Sequence, residues 1–190
     1  MDITSSYIGY KKNRDARYAF FLLTENYIQE NAKLVKQLNP LLSEFARALG
    51  HDMALVAPFD RDVQAVHQSV LAKDWPEGDL QRIVRTPGLL VIDVDFKDFN
   101  PKAHQWLHIS FRDGMNEYGD VRIFEVKELL EGLVSLTASD ISLSKLRDDI
   151  ESEIRADILK KGFGAKIGAF GLSFDLSAGV KYLKRFLAKR

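Results

Sequence analysis

The chain has 190 residues, 46% of them hydrophobic and 28% charged, with 27 basic residues against 27 acidic ones. A chain of this length and composition can bury a core of its own, and its zero formal charge gives no reason to expect a nucleic acid, a membrane or an acidic substrate as partner of the molecule as a whole. The absence of cysteine excludes disulfides, thiolate zinc sites, iron–sulfur clusters and cysteine nucleophiles, and fits a reducing compartment.

Residues 2–10 mix β-branched and aromatic side chains with Gly9 and read as a short strand or an ordered arm. They contain no signal-peptide apolar region, and a soluble, cytoplasmic protein without a transmembrane segment is the expectation. From Asn13 onward Ala16, Phe20, Leu23, Tyr27, Leu34, Val35 and Leu38 recur at three- and four-residue steps, the stripe of an amphipathic helix. Asn39-Pro40 should end that helix, and a second one should run over 41–49 to Gly50, giving an N-terminal helical pair within 1–50.

Residues 53–57 (MALVA) form a short apolar run suited to a buried strand, and Asp60 stands where a helix over 60–73 would be capped. Leu80 to Val84 adds a turn of helix before the break at Thr86-Pro87-Gly88. LLVIDVDF, residues 89–96, is the most apolar stretch and reads as the central strand, with Asp93 and Asp95 on one of its faces. Asn100-Pro101 turns the chain, and 106–111 (WLHISF) alternates Trp106, His108 and Ser110 on one side with Leu107, Ile109 and Phe111 on the other. The connection is too short for a helical crossover, so these two strands, if neighbours, pair antiparallel.

Helical stripes follow at 126–137 and 143–161. Residues 121–125 are readable as strand or as helix, with the helix favoured because Asp120 supplies a cap and the apolar stripe reaches back to Ile123. The last segment changes character: Phe170, Leu172, Phe174 and Leu176 alternate as a strand within 166–176, and Val180, Leu183, Phe186 and Leu187 suggest a short basic helix. Residues 160–190 carry eight basic side chains against Asp175 alone, so this tail is +7 and the remainder of the chain −7.

The fold expected is a single compact α/β domain over 1–190, with a small mixed sheet of about four strands (53–57, 89–96, 106–111 and 166–176) covered by helices. Its N-terminal helical region packs on the sheet, and residues 163–190 form a basic strand plus helix.

Three constellations could carry function. Asp60, Asp93, Asp95 and Asp98 lie near strand ends, where ligands collect in open α/β sheets and where carboxylates can hold a cation. Glu125-Val126-Lys127 is an E-x-K that, in a strand beside Asp93 and Asp95, would suit a Mg²⁺-dependent phosphodiesterase or nuclease: two carboxylates for the cation and a lysine to orient water. On a helix Glu125 and Lys127 point about 200° apart and cannot share a site. Lys181, Lys184, Arg185, Lys189 and Arg190, beside Tyr182 and Phe186, are where a nucleic acid or an anionic membrane would bind; the competing reading is a helix packed on the core with its cations in water.

No GxxxxGK[ST] loop, GxGxxG fingerprint or GxSxG elbow is present, which removes P-loop nucleotide hydrolysis, Rossmann dinucleotide binding and the α/β-hydrolase triad. His108 reads as a satisfied, half-buried histidine. The first functional expectation is therefore a non-catalytic ligand- or protein-binding regulatory domain that needs no cofactor, with the metal-dependent nuclease and the tail-mediated association as alternatives.

Overall fold

Tyr18–Leu23 (β1) is the run YAFFLL, of strand length and apolar beyond its first residue. The recurrence of Phe20, Leu23 and Tyr27 predicts a helix here, but a continuous apolar run satisfies a helical and an extended period equally. The strand takes an interior place in the sheet, parallel to Met53–Val56 (β2) on one edge and antiparallel to Gly88–Ile92 (β3) on the other. Such a position suits an unbroken apolar segment. The structure, a computed structural model, describes residues 18–23, 28–48, 53–56, 68–85, 88–111, 122–137, 141–161, 166–167 and 171–188.

Ile28–Ala48 (α1) links β1 to β2 as a crossover between parallel strands. It runs through Pro40 without ending, where the sequence predicts two helices. The reason lies in its buried face: Leu38 before the proline and Leu42, Phe45 and Ala46 after it share one stripe against the sheet, while Pro40 itself is exposed. Burial of large side chains at about 1.5–3 kcal/mol each offsets the roughly 3 kcal/mol that an interior proline costs.

β3 pairs antiparallel with Trp106–Ser110 (β4), as the short connection requires. The tail adds two strands in place of one: Lys166–Ile167 (β5) and Gly171–Asp175 (β6) pair antiparallel with each other, and β6 lies parallel to β4. Among the described residues the sheet thus has six strands rather than about four, in the order β2-β1-β3-β4-β6-β5, and is mixed. β3 ends at Ile92, four residues short of the extent its apolar run suggests.

Alternation divides the sheet's two faces. Leu89, Val91, Leu107, Ile109 and Leu172 meet α1, Ile123–Thr137 (α3), Leu143–Lys161 (α4) and Leu176–Ala188 (α5) in the larger core. On the other face Leu90, Ile92 and Trp106 pack with Val70, Trp75, Ile83, Phe96 and Phe99, contributed by a helical stretch at 68–71, by Asp79–Arg85 (α2) and by the β3–β4 turn. Trp75 meets Trp106 edge-on, with ring centroids 5.4 Å apart. Both indoles keep a hydrogen bond, Trp75 Nε1 donating to the Val70 carbonyl and Trp106 Nε1 to that of Pro101. The helix expected over 60–73 is seen only in its last turn, and Asp60 lies outside the described residues. Among the described residues, no helix is long and apolar enough to cross a membrane.

Candidate functional site

Because β3 stops at Ile92, Asp93 and Asp95 stand in the β3–β4 turn and not on a strand face. The register fixes which edge of the sheet this is: Ile92 lies opposite Ala19 and Trp106, near the amino ends of β1 and β4. β1, β2, β4 and β6 all run the same way, so their carboxyl ends are at the far edge, whereas the aspartates follow the carboxyl end of β3, which runs against β1 and β4. Asp98 is exposed and pairs with Lys97 at 3.7 Å.

The turn is held from outside by Lys73. Its Nζ donates to the carbonyls of Phe96 and Lys97 at 2.7 and 3.1 Å and sits 4.9 Å from the centre of the Phe96 ring. Burial pushes the Lys73 ammonium below its usual pKa, with the Asp98 carboxylate acting in the opposite direction. Pro101 closes the turn: Asn100 Oδ1 accepts from the Lys102 amide, and His104 Nδ1 accepts from the amide of Asn100. These bonds account for the turn as a structural knot. Among the described residues, no three histidine or carboxylate side chains come together in a way that could hold a metal ion.

The ambiguity at 121–125 resolves to helix from Ile123 onward, with the Arg122 carbonyl accepting the amides of Glu125 and Val126; Asp120 and Val121 lie outside the described residues. Glu125 turns toward Arg122 (2.7 Å) and Ser177 of α5 (3.3 Å), whereas Lys127 turns toward Glu131 on another side of α3. The acid and lysine of the E-x-K therefore do not share a face, and neither joins Asp93 or Asp95.

The basic helix is part of the core. Val180, Tyr182 and Leu183 of α5 are buried, and a side chain on Gly132 of α3 would collide with Leu183, so α3 and α5 approach backbone to side chain. The outward cations find acids on neighbouring helices: Lys184 bonds Glu128 of α3 at 2.7 Å, and Arg185 bonds Glu153 of α4 at 3.4 Å. Lys181 lies over the ring of Tyr182, 5.4 Å from its centre. Lys189 and Arg190 lie outside the described residues.

A buried polar pair links β4 to β6. His108 and Ser173 stand opposite each other in the ladder, with His108 Nδ1 and Ser173 Oγ 3.0 Å apart, and both are buried, the histidine completely and not by half. An enclosed serine cannot meet a substrate, so the pair ties β4 to β6 in this register and satisfies His108 Nδ1 and Ser173 Oγ inside the sheet.

What the sequence alone does not disclose is a groove between α1 and α3, about 210 Å³ in volume. Leu41 and Phe45 of α1 and Leu130 and Val134 of α3 form its apolar walls. Glu44 on one helix and Lys127 and Glu131 on the other stand at its rim, all three exposed. Each helix is readable from its stripe, but the spacing between them depends on how both rest on the sheet. Comparison of the chain with protein families, curated proteins and solved structures finds no match.

Proposed function

We propose that the chain is a ligand- or protein-binding regulatory domain, non-catalytic, that acts through the groove between α1 and α3. The observation that carries this reading is the groove's composition: four apolar walls with charged residues confined to the rim, the arrangement by which a concave site gains affinity from burial and orientation from a few polar groups. Its volume is below the roughly 300–1,000 Å³ of pockets for drug-sized ligands. One or two apolar side chains of a partner, or a small apolar molecule, match it better than a nucleotide would.

The test uses an anilinonaphthalene sulfonate dye, whose fluorescence rises in an apolar site. At low protein concentration, where the chain is monomeric, the wild-type protein should bind it saturably, and Val134→Trp, which fills the groove from α3, should weaken binding by about tenfold or more, equivalent to ~1.4 kcal/mol, with an unchanged thermal melt. Equal binding by the two proteins would place the dye elsewhere and remove the groove's claim.

A further inference from the structure

The groove has a neighbour on the same helix. Phe124 is 71% exposed, the most exposed large hydrophobic side chain among the described residues, and it stands on α3 with Lys127, Glu131 and Val134. At 100° per residue these four positions fall within about 80° of arc, so they form one stripe along the outer side of the helix. The stripe begins with an exposed aromatic ring and ends in the apolar wall of the groove. Between them it carries Lys127 and Glu131, paired with each other at 3.8 Å and both more than half exposed.

This order is complementary to its own reverse. If two copies of α3 pack antiparallel about a two-fold axis level with Leu129, Phe124 comes opposite the partner's Val134 and Lys127 comes opposite the partner's Glu131. The same two contacts recur on the other side of the axis, as an isologous interface requires. The charges match in that register, and an exposed ring meets an apolar recess of suitable size. A parallel pairing would set Lys127 against the partner's Lys127 and Glu131 against the partner's Glu131, which like-charge repulsion disfavours.

We infer that the groove's occupant is a second copy of this chain: a two-fold dimer in which Phe124 of each subunit enters the α1–α3 groove of the other and Lys127 pairs with the partner's Glu131. This inference rests on the groove being the binding site proposed above. Lys127 belongs to the assembly as a register-setting cation.

Sedimentation velocity over a concentration series tests it, on the full chain and on Phe124→Ser, Lys127→Glu, Glu131→Lys and the double variant Lys127→Glu/Glu131→Lys. All of these positions are exposed, and thermal melts verify that each variant is folded. The wild type should show a monomer–dimer equilibrium, each single variant should raise the dimer's dissociation constant by about tenfold or more, and the charge-swapped double variant should recover it. Glu131→Lys supplies the charge test independently of Lys127→Glu should either variant melt early. A wild type that remains monomeric at every concentration overturns the dimer, as does a dimer indifferent to the single variants or a double variant that fails to recover. Dye binding by Phe124→Ser distinguishes the two ideas: a monomeric wild type whose groove still takes the dye leaves the groove standing without the dimer, whereas an unresponsive Phe124→Ser protein removes the groove itself.

Discussion

Gly171 stands across the β4–β6 ladder from Trp106, and the indole occupies the place where a side chain on Gly171 would begin. Trp106 cannot easily withdraw. It is fully buried, its Nε1 donates to the Pro101 carbonyl at 3.2 Å, and its ring meets Trp75 edge-on. The tail strand is thus accepted into the sheet because a residue with no Cβ faces one of the two tryptophans of the smaller core.

Gly171→Ala should therefore destabilise the protein by about 1–3 kcal/mol, the usual cost of overfilling a packed site. Urea unfolding followed by tryptophan fluorescence would measure it. A change smaller than about 0.5 kcal/mol, the size of an ordinary surface substitution, would mean that the indole has another place to go.

The elements that were legible in the sequence are those whose apolar residues carry one period only. Trp106–Ser110 and the helices Ile123–Thr137 and Leu143–Lys161 are of this kind, while Met53–Val56 is legible from its shortness and the Pro58 that follows. The alternation of WLHIS does separate Trp106 and His108 from Leu107 and Ile109, which belong to the opposite core. Tyr18–Leu23 reads as part of a helical stripe because YAFFLL has no polar residue after its first position to mark a period, and its strand identity is set by the neighbours β2 and β3. The aspartates at 93 and 95 do follow a strand end, that of β3, but nothing in the local pattern shows that the neighbouring strands β1 and β4 begin at the same edge. Direction is a property of topology, which local pattern does not contain. The groove was illegible for a related reason: Lys127 stood out for its spacing to Glu125, yet its neighbours across the groove, Glu44 and Phe45, come from a helix about eighty residues earlier in the chain.

Pro40 offers a test of how far packing overrides local preference. It lies inside α1, exposed, between the buried residues Leu38 and Leu42. Pro40→Ala restores a backbone donor and removes the steric conflict with the preceding turn, while alanine also loosens the unfolded chain, which partly offsets the gain. A net stabilisation of about 1–2 kcal/mol is expected, read as a higher urea midpoint at unchanged slope. A lower midpoint would show that α1 needs the bend a proline imposes and that straightening it disturbs the packing of Leu42 and Phe45.

Deleting residues 163–190 separates the two readings of the basic tail. The deletion removes β5, β6 and α5, and with them Leu172, Val180, Tyr182 and Leu183, all buried. At about 1.5–3 kcal/mol for each large side chain, these four contribute roughly 6–12 kcal/mol, comparable with the entire stability of about 5–15 kcal/mol that a domain has. The cut also leaves β4 as a bare sheet edge beside an uncovered apolar face, a combination that favours association with other chains. The ion pairs of Lys184 with Glu128 and Arg185 with Glu153 matter far less, because their cations are largely solvated and such pairs are worth at most about 1 kcal/mol each. The truncated protein should therefore aggregate or lose its cooperative melt, while Lys184→Ala and Arg185→Ala should each shift stability only slightly. If the tail were instead a surface module for anionic lipid or polynucleotide, the truncated protein would keep its melting temperature and lose salt-sensitive binding to phosphatidylserine vesicles or to DNA. A preserved melt is thus the result that would remove α5 from the core, and the complete burial of Tyr182 in the larger core argues that it will not be observed.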